Sequence, residues 1–266
     1  MRLLIAPFIA LALTGPAHAQ LAAPNENGLS FSHIHLNVTD VEAQRKFWMG
    51  QFDARPLARE GLQGVKVPGM LILFTVKTPE HPTEGEALDH FGFKVHNRDD
   101  MVASWRAAGL TVGRIFKGSE GFPNAYVTGP DGVKIEVQEE ASQTPRAVAQ
   151  HLHYLLPDFM SLRAWYVGTF SMPETIRGPH PSADIPGMNF TFAVGPALKY
   201  TSMKGGLIDH IGIEVKNLEA YCRKLTAAGV KLDVPYTKDA KTGIAYAFLT
   251  DPVGTYIELT EGLDKY

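Results

Sequence analysis

The chain has 266 residues, a formal net charge of −3 and a single cysteine. A lone cysteine cannot form an intrachain disulfide, so the fold must depend on packing. The sequence has no run of basic residues, which disfavours nucleic acids and anionic membranes as partners.

The first residues are typical of a secretory signal peptide. Met1-Arg2 precede an apolar run from Leu3 to Leu13, and Ala17-His18-Ala19 follows as a small-residue cleavage site. The apolar run is too short to span a bilayer as a helix. We expect cleavage after residue 19, no membrane association afterwards, and a periplasmic or secreted protein.

Beyond this segment, the pattern predicts units of one strand, one helix and about three strands. Alternating apolar and polar residues favour strands, and Asp40 and Asn97 are placed to cap the two helices of the first half. The segment 141–147 has little periodicity and is predicted to be the boundary between the two halves. The predicted strands of the first half are 31–38, 71–76, 88–97, 112–116, 124–128 and 133–137.

The second half repeats the first. Leu88-Asp89-His90-Phe-Gly92 is copied by Ile208-Asp209-His210-Ile-Gly212, and each copy is followed by a capped helix that ends at a glycine. A shorter repeat lies within each half, because a histidine stands seven residues before every predicted helix cap. The four pairs are His33 and Asp40, His90 and Asn97, His151 and Asp158, and His210 and Asn217.

These four His-x6-Asp/Asn starts, with two Pro-x-Gly-x3-Glu ends at Glu136 and Glu258, resemble the vicinal oxygen chelate superfamily. That superfamily includes glyoxalase I, bleomycin-resistance proteins and extradiol dioxygenases. The resemblance implies an α+β fold in which four βαβββ modules form two tandem domains with cup-shaped mixed sheets. The expected ranges are 1–19 for the signal peptide, 30–140 for the first domain and 148–262 for the second.

The resemblance also implies a metal held by a histidine from the first strand of each module and a glutamate from a last strand. By position, this gives one ligand set in each half: His33, His90 and Glu136, then His151, His210 and Glu258. The alternative that His33 joins His210 and Glu258 stays open. Such a set leaves coordination positions free for two substrate oxygens and suits Fe, Mn, Zn, Ni or Co.

Other residues are candidates for catalysis beside Glu136 and Glu258. His35 and His153 lie two residues beyond a ligand candidate, so they share its face of the strand. Roles as further ligands, proton shuttles or substrate contacts stay open for both. Tyr126, whose counterpart is Phe248, is a candidate general acid. For the segment that begins at Arg177, both a lid and an ordinary exposed loop stay open.

We therefore expect a metal-dependent enzyme, monomeric or homodimeric, with lyase or isomerase chemistry on an oxygenated small molecule. An Fe(II) ring-cleaving dioxygenase and a metal-free binding or resistance protein are the alternatives. Glyoxalase I has a further glutamate on the last strand of its first module, where this sequence has Leu73 and Thr191. The extradiol signature has a histidine before its final glutamate that neither half contains.

Overall fold

The computed structural model describes residues 21–57 and 61–265. The predicted signal peptide, residues 1–19, lies outside the described residues. Within the described ranges, no helix combines the length and the apolar character that crossing a membrane requires.

Four modules follow one another along the chain, each with the βαβββ order that the sequence predicts. Module 1 contains β1 (Leu29–Val38), α1 (Val41–Phe52), β2 (Arg55–Pro56), β3 (Gly64–Val67) and β4 (Met70–Val76). Module 2 contains β5 (Leu88–Val95), α2 (Arg98–Ala107), β6 (Thr111–Lys117), β7 (Pro123–Thr128) and β8 (Lys134–Glu139). Module 3 contains β9 (Ala147–Leu156), α3 (Phe159–Phe170), β10 (Glu174–Arg177), β11 (His180–Ile185) and β12 (Met188–Val194). Module 4 contains β13 (Ile208–Val215), α4 (Leu218–Ala227), β14 (Val234–Lys238), β15 (Ala245–Thr250) and β16 (Tyr256–Glu261).

The four helices begin at the predicted caps. The Asp40 carboxylate accepts from the backbone N–H groups of Glu42 and Ala43, and the Asn97 side chain does the same for the start of α2. Asp158 and Asn217 cap α3 and α4 in the same way. Each cap satisfies backbone donors that the helix itself leaves free, and is typically worth about 1 kcal/mol.

The sheets combine modules from opposite halves of the chain. Sheet A has the strand order β14-β15-β16-β13-β1-β4-β3-β2, so it is built from modules 1 and 4. Sheet B has the order β10-β11-β12-β9-β5-β8-β7-β6, from modules 2 and 3. At the centre of each sheet two first strands run antiparallel, β1 beside β13 and β5 beside β9.

The two faces of these central strands have different surroundings. Ile34 and Leu36 of β1 are fully buried in the main hydrophobic core, which also contains Trp48 of α1. His33 and His35 alternate with them and therefore point to the opposite face of the sheet. The core thus fixes which face of each sheet the histidines occupy.

Candidate metal sites

Sheet A gathers one cluster of donor side chains, called site A: His33, His35, His210 and Glu258. Nε2 of His33 lies 3.0 Å from Oε2 of Glu258, and Nε2 of His210 lies 3.3 Å from the same oxygen. The three histidines each offer a ring nitrogen within 4.8 Å of the others. His33 comes from β1, His210 from β13 and Glu258 from β16, so both halves of the chain are required.

Sheet B gathers the equivalent cluster, called site B: His90, Glu136, His151 and His153. Nε2 of His90 lies 2.7 Å from Oε2 of Glu136, and Nε2 of His151 lies 3.4 Å from it. One donor atom from each of the four residues lies within 4.8 Å of the other three. Site B therefore resembles site A, except that its glutamate belongs to the compact group of donors, whereas the three histidines of site A form theirs without Glu258.

The expected grouping of ligands within each half is wrong for this structure. His33 does not join His90 and Glu136, nor does His151 join His210 and Glu258. The reason is strand pairing: β1 is hydrogen-bonded to β13, which places His35 opposite His210, and β5 is hydrogen-bonded to β9, which places His90 opposite His153. The grouping across halves, which the sequence left open, is the one the sheets produce.

Two glycines make room for the histidines that cross between halves. Gly212 pairs with His33, and a Cβ atom there would lie 2.0 Å from His33 Nδ1. Gly92 pairs with His151, and a Cβ atom there would lie 2.1 Å from His151 Cε1. Contacts this short cannot be accommodated, so the glycines of the repeated motif are needed for the rings to occupy their positions.

Each of the four candidate first-strand ligands has its Nδ1 atom held by the residue immediately before it. Orientation of the ring through its other nitrogen is the usual arrangement of a metal-binding histidine. The four pairs are Ser32 Oγ and His33 at 2.9 Å, Asp89 Oδ1 and His90 at 2.5 Å, Gln150 Oε1 and His151 at 3.0 Å, and Asp209 Oδ1 and His210 at 2.8 Å.

The free nitrogens fit a bound divalent metal. Nε2 of His33, His151 and His210 is buried and makes no well-aligned hydrogen bond to any described residue, although each lies close to a carboxylate oxygen. Unpartnered buried nitrogens are destabilising in the absence of a ligand. Neutral imidazoles and one carboxylate are donors that Fe, Mn, Zn, Ni and Co accept.

At one histidine ligand of each site, the pKa is lowered, which favours the neutral imidazole that binds a metal. Burial lowers the pKa of His33, and the nearby Glu258 carboxylate only partly offsets this. Burial and the Arg177 guanidinium lower the pKa of His151 to about 4. For His90 and His210, burial is outweighed by the adjacent aspartate and the site glutamate, so their pKa values are raised.

The glutamate is held more firmly in site B than in site A. Oε1 of Glu136 accepts from Asn124 Nδ2 at 2.5 Å, and Oε2 accepts from the Tyr126 hydroxyl at 3.3 Å. Burial and the Glu136 charge raise the pKa of Tyr126, so its hydroxyl keeps its proton. In site A the corresponding residue is Phe248, whose ring is stacked on Tyr256 with centroids 4.7 Å apart.

The third histidines of the two sites, His35 and His153, differ in their hydrogen-bond partners. Nε2 of His35 lies 2.8 Å from Thr75 Oγ1, and burial together with His210 and His33 lowers the pKa of His35 to about 3. His153 has no hydrogen bond to a described residue at either ring nitrogen. Burial, His90 and His151 hold the pKa of His153 well below its ordinary value, so this ring is neutral.

The cavities beside the two sites have different linings. The cavity at site A, about 380 Å³, is bordered by apolar and aromatic side chains that include Leu62, Ile244 and Phe248. The cavity at site B, about 340 Å³, is bordered by Arg114, Lys117, Arg177, His180 and other polar residues. The Arg177 segment is a hairpin, in which β10 ends at Arg177, β11 begins at His180, and only Gly178 and Pro179 between them form an exposed turn.

A family model described as the Glyoxalase/Bleomycin resistance protein/Dioxygenase superfamily matches residues 30–137 and 150–259. The chain belongs to this superfamily. The resemblance drawn from the repeated histidine motifs is thereby confirmed, as is the α+β fold with two tandem glyoxalase-like units. The sequence has no significant match among curated proteins.

Solved structures share the superfamily fold across almost the whole chain. Glyoxalase I from Zea mays superposes with a TM-score of 0.69 at 14% identity, covering 89% of this chain and 94% of that one. A Bacillus subtilis protein with the provisional description of a dioxygenase superposes with a TM-score of 0.66 at 13% identity, covering 91% of this chain and 86% of that one. At such identities the likeness shows the fold alone.

The positions where glyoxalase I of the superfamily has its further glutamate lie beside the third histidines. Leu73 on β4 is paired with His35, and Thr191 on β12 is paired with His153. A carboxylate is absent from both positions. Site A and site B are therefore alike in replacing an acidic residue by a neutral one next to a histidine.

Some residues of these sites escaped the sequence interpretation although a signal was present. Asp89 and Asp209, and the glycines Gly92 and Gly212, belong to the motif Asp-His-x-Gly that occurs in both halves. The repeat by itself predicts a strand and a candidate ligand, and does not identify the aspartate and glycine as parts of the site. Ser32, Gln150 and Arg177 carry no comparable repeated signal.

Proposed function

We propose that this superfamily member is an exported, metal-dependent enzyme that transfers a proton on a small molecule bearing two neighbouring oxygen atoms. The proposal corresponds to lyase or isomerase chemistry. One observation carries it: in both sites, imidazole nitrogens from two modules and a glutamate converge on a single point, with their outer nitrogens held by hydrogen bonds. Such preorganisation is characteristic of metal ligands.

The ligands would be His33, His210 and Glu258 in site A, and His90, His151 and Glu136 in site B. A divalent metal bound there supplies positive charge that stabilises a negative charge developing on a substrate oxygen. Asp209 and Asp89 hold the Nδ1–H groups of His210 and His90, which keeps Nε2 directed at the cluster. Ser32 and Gln150 hold Nδ1 of the two remaining rings, His33 and His151, by hydrogen bonds.

Proton transfer in site B is assigned to His153 and Tyr126. His153 has no competing hydrogen bond to a described residue, so a ring nitrogen is free to take a proton from a substrate carbon. The Tyr126 hydroxyl retains its proton and lies beside Glu136, from where it can donate to a substrate oxygen. In site A the equivalent histidine is His35, but its Nε2 is already paired with Thr75 Oγ1 and Phe248 replaces the hydroxyl donor, so proton transfer is assigned to site B alone.

Metal content and proton exchange test this proposal together. Purified protein is reconstituted separately with Zn²⁺, Mn²⁺, Ni²⁺, Co²⁺ and Fe²⁺, and bound metal is measured by mass spectrometry. Exchange of the carbon-bound proton of 2-hydroxy and 2-oxo acids is then followed by NMR in D₂O. We expect bound metal and exchange in the wild type, and loss of both in a double variant Glu136→Gln and Glu258→Gln. The exposed Glu84→Gln is the matched control.

Two results would contradict the proposal. One is less than about a tenth of an equivalent of every metal, because structural and catalytic ligand sets of this kind normally bind close to stoichiometrically. The other is unchanged affinity for a small-molecule ligand in His90→Ala and His210→Ala, since that outcome is expected of a metal-free binding protein.

Export is part of the proposal and rests on the sequence of residues 1–19. Expression of the full chain in a Gram-negative host, followed by fractionation and N-terminal sequencing, tests it. A mature N-terminus at Gln20 in the periplasm or medium is expected. Retention of the full chain in the cytoplasm of a host that exports other signal-bearing proteins would contradict this part alone.

The lining of site A supports a second candidate, ring cleavage of an aromatic diol by Fe(II). Phe248, Tyr246, Ile244 and Leu62 border the cavity beside His210 and Glu258, and such a surface suits an aromatic ring. Oxygen consumption with catechols after anaerobic loading with Fe²⁺ decides this candidate. No uptake in protein that retains its iron would remove it.

A further inference from the structure

Arg177 lies at the inner end of β10, against the histidine cluster of site B. Its side chain is only 11% exposed. Nη2 lies 3.4 Å from Gln150 Oε1, and the same oxygen is bonded to Nδ1 of His151 at 3.0 Å. The guanidinium is therefore separated from a candidate metal ligand by a single side chain.

The guanidinium has donor capacity that the described residues do not fill. Nε lies 2.9 Å from Oε2 of Glu120, while Nη1 and Nη2 make only long contacts of 3.4 Å to Thr191 and Gln150. A guanidinium has five N–H donors in a planar fork that matches an oxyanion. One carboxylate oxygen at Nε leaves most of that fork available.

Glu120 is the carboxylate that faces the Arg177 guanidinium. It belongs to the connection between β6 and β7 and is 23% exposed, with a second hydrogen bond from Gln138 Nε2 at 2.8 Å. Glu120 and Arg177 border both the cavity at site B and a wider cavity of about 880 Å³ on their other side. The pair therefore stands between the outer cavity and the metal-binding cluster.

The remaining charges around the cavity at site B are mostly positive. Arg114 and Lys117 of β6 are exposed at its border, and the Glu136 carboxylate of the cluster is the one other acidic group among the described residues there. His180 lies beside His153 with ring centroids 5.7 Å apart, but burial and Arg177 lower its pKa, so it adds no positive charge. Thr191, where glyoxalase I has a carboxylate, is neutral and contacts Arg177. Exposed positive charges at the border of a cavity favour the approach of anions.

We propose that site B takes an oxygen-chelating substrate whose other end carries an oxyanion, a carboxylate or phosphonate, and that Arg177 binds this anion in place of Glu120. The inference rests on the proposed function, because the chelating end is expected to bind the metal. Arg177 is a specificity residue here, and it takes no part in moving the proton.

The test uses two matched ligand pairs, so that the contribution of the terminal anion is measured directly. The zinc-loaded protein carries His33→Ala and His210→Ala, which leaves site B as the metal site. Binding of 2-hydroxyglutarate is compared by calorimetry with that of 2-hydroxypentanoate, which has the same length without the terminal carboxylate. The zinc content of every sample is measured. In EDTA-treated protein, glutarate is compared with pentanoate by NMR titration.

We expect 2-hydroxyglutarate to bind at least about tenfold tighter than 2-hydroxypentanoate, because its terminal carboxylate makes a charge-assisted hydrogen bond with Arg177. Arg177→Met should reduce the ratio to below about twofold without loss of zinc, and Arg177→Lys should retain part of it. Glu120→Gln should increase the ratio, since the competing carboxylate is removed. Arg163→Met is the control, because Arg163 is also 11% exposed and is paired with Glu174 at 3.0 Å, but lies outside the cavity.

Two outcomes overturn the inference. The first is an unchanged ratio of the affinities for 2-hydroxyglutarate and 2-hydroxypentanoate in Arg177→Met that still binds zinc. The second is that the metal-free protein binds glutarate and pentanoate equally and the zinc-loaded protein does not prefer 2-hydroxyglutarate. Failure of the proposed function gives a different pattern. Zinc would then be absent from every sample, while the preference for glutarate over pentanoate would still depend on Arg177.

Discussion

Oδ1 of Asp209 lies 2.8 Å from Nδ1 of His210, the next residue in the chain. Burial alone would raise the pKa of Asp209, but hydrogen bonds from His210 and the Gly205 backbone hold that pKa well below its usual range. The carboxylate therefore stays charged and fixes the ring with Nε2 directed at Glu258. Asp89 and His90 repeat the relationship in site B.

Removing this charge should weaken metal binding without removing a ligand. We expect Asp209→Asn to lower the zinc affinity of site A by about 10–100-fold, the usual effect of losing a carboxylate behind a ligating histidine. Competition with a chromogenic chelator measures the affinity of each site. Asp264→Asn, an exposed aspartate near the end of sheet A, is the control. Equal affinities for the Asp209 variant and the wild type would show that the pair does not serve a metal.

Pairs of histidine variants test which modules share a metal. His33→Ala and His210→Ala belong to the same site, so each alone and both together should leave one equivalent of zinc. His33→Ala with His90→Ala should leave none. If ligands were grouped within each half of the chain, these two double variants would give the opposite results. Metal analysis after dialysis at equal protein concentration separates the two arrangements.

A methyl group at Gly212 should remove site A through a steric effect alone. The added Cβ would lie 2.0 Å from His33 Nδ1, so Gly212→Ala must displace the ring. We expect loss of one zinc equivalent and a lower free energy of unfolding. Gly168→Ala is the control, because Gly168 lies within α3 and no atom lies near its added Cβ. Its free energy of unfolding should rise by roughly 0.5–1 kcal/mol. Retention of two zinc equivalents in Gly212→Ala would contradict the placement of His33.

A buried carboxyl group outside the two sites should make stability depend on pH. Burial raises the pKa of Glu214 from 4.5 to about 7, despite hydrogen bonds from Thr260 and the Gly262 backbone. Between these values the native state keeps a proton that the unfolded chain releases. The contribution is therefore complete below pH 4.5 and is lost as the pH rises through 7.

We expect Glu214→Gln, which cannot ionise, to remove this loss of stability. The difference in the free energy of unfolding between pH 4.5 and pH 8 should shrink by on the order of 2–3 kcal/mol. Urea unfolding at several pH values measures it. Glu219→Gln, whose side chain is 60% exposed, should leave the pH dependence unchanged. If the free energy of unfolding of Glu214→Gln depended on pH in the same way as that of the wild type, the raised pKa of Glu214 would be contradicted.

The sequence predicted the modules because local signals specify them. The alternation around His90 and His210, the helix caps at Asp40 and Asn97, and the glycines that end the helices all act within a few residues. The pairing of modules depends on contacts between distant strands, and the repeated sequence makes β5 and β13 alike as candidate neighbours of β1. The ligand types were therefore predictable, while their grouping was not.

Arg177 illustrates a second limit of sequence interpretation. It lies among glycine and proline residues that favour a loop, yet pairing with β11 extends the backbone and burial directs the side chain inward. No periodicity marks such a residue, because its environment is created by Gln150, Thr191 and Glu120 from other strands. Asp89 and Asp209, by contrast, could be predicted from the sequence, since each adjoins a candidate ligand in a repeated motif.

The pairing of module 1 with module 4 has a consequence for the order in which the chain folds. Modules 2 and 3 are consecutive, so sheet B can close while the C-terminal quarter is still being synthesised. Until β13 emerges, one long edge of β1 has unpaired backbone groups, and such an edge is prone to associate with other chains. β1, the first strand of the described residues, is thus completed by a strand of the last module, which makes late truncation more damaging to site A than to site B.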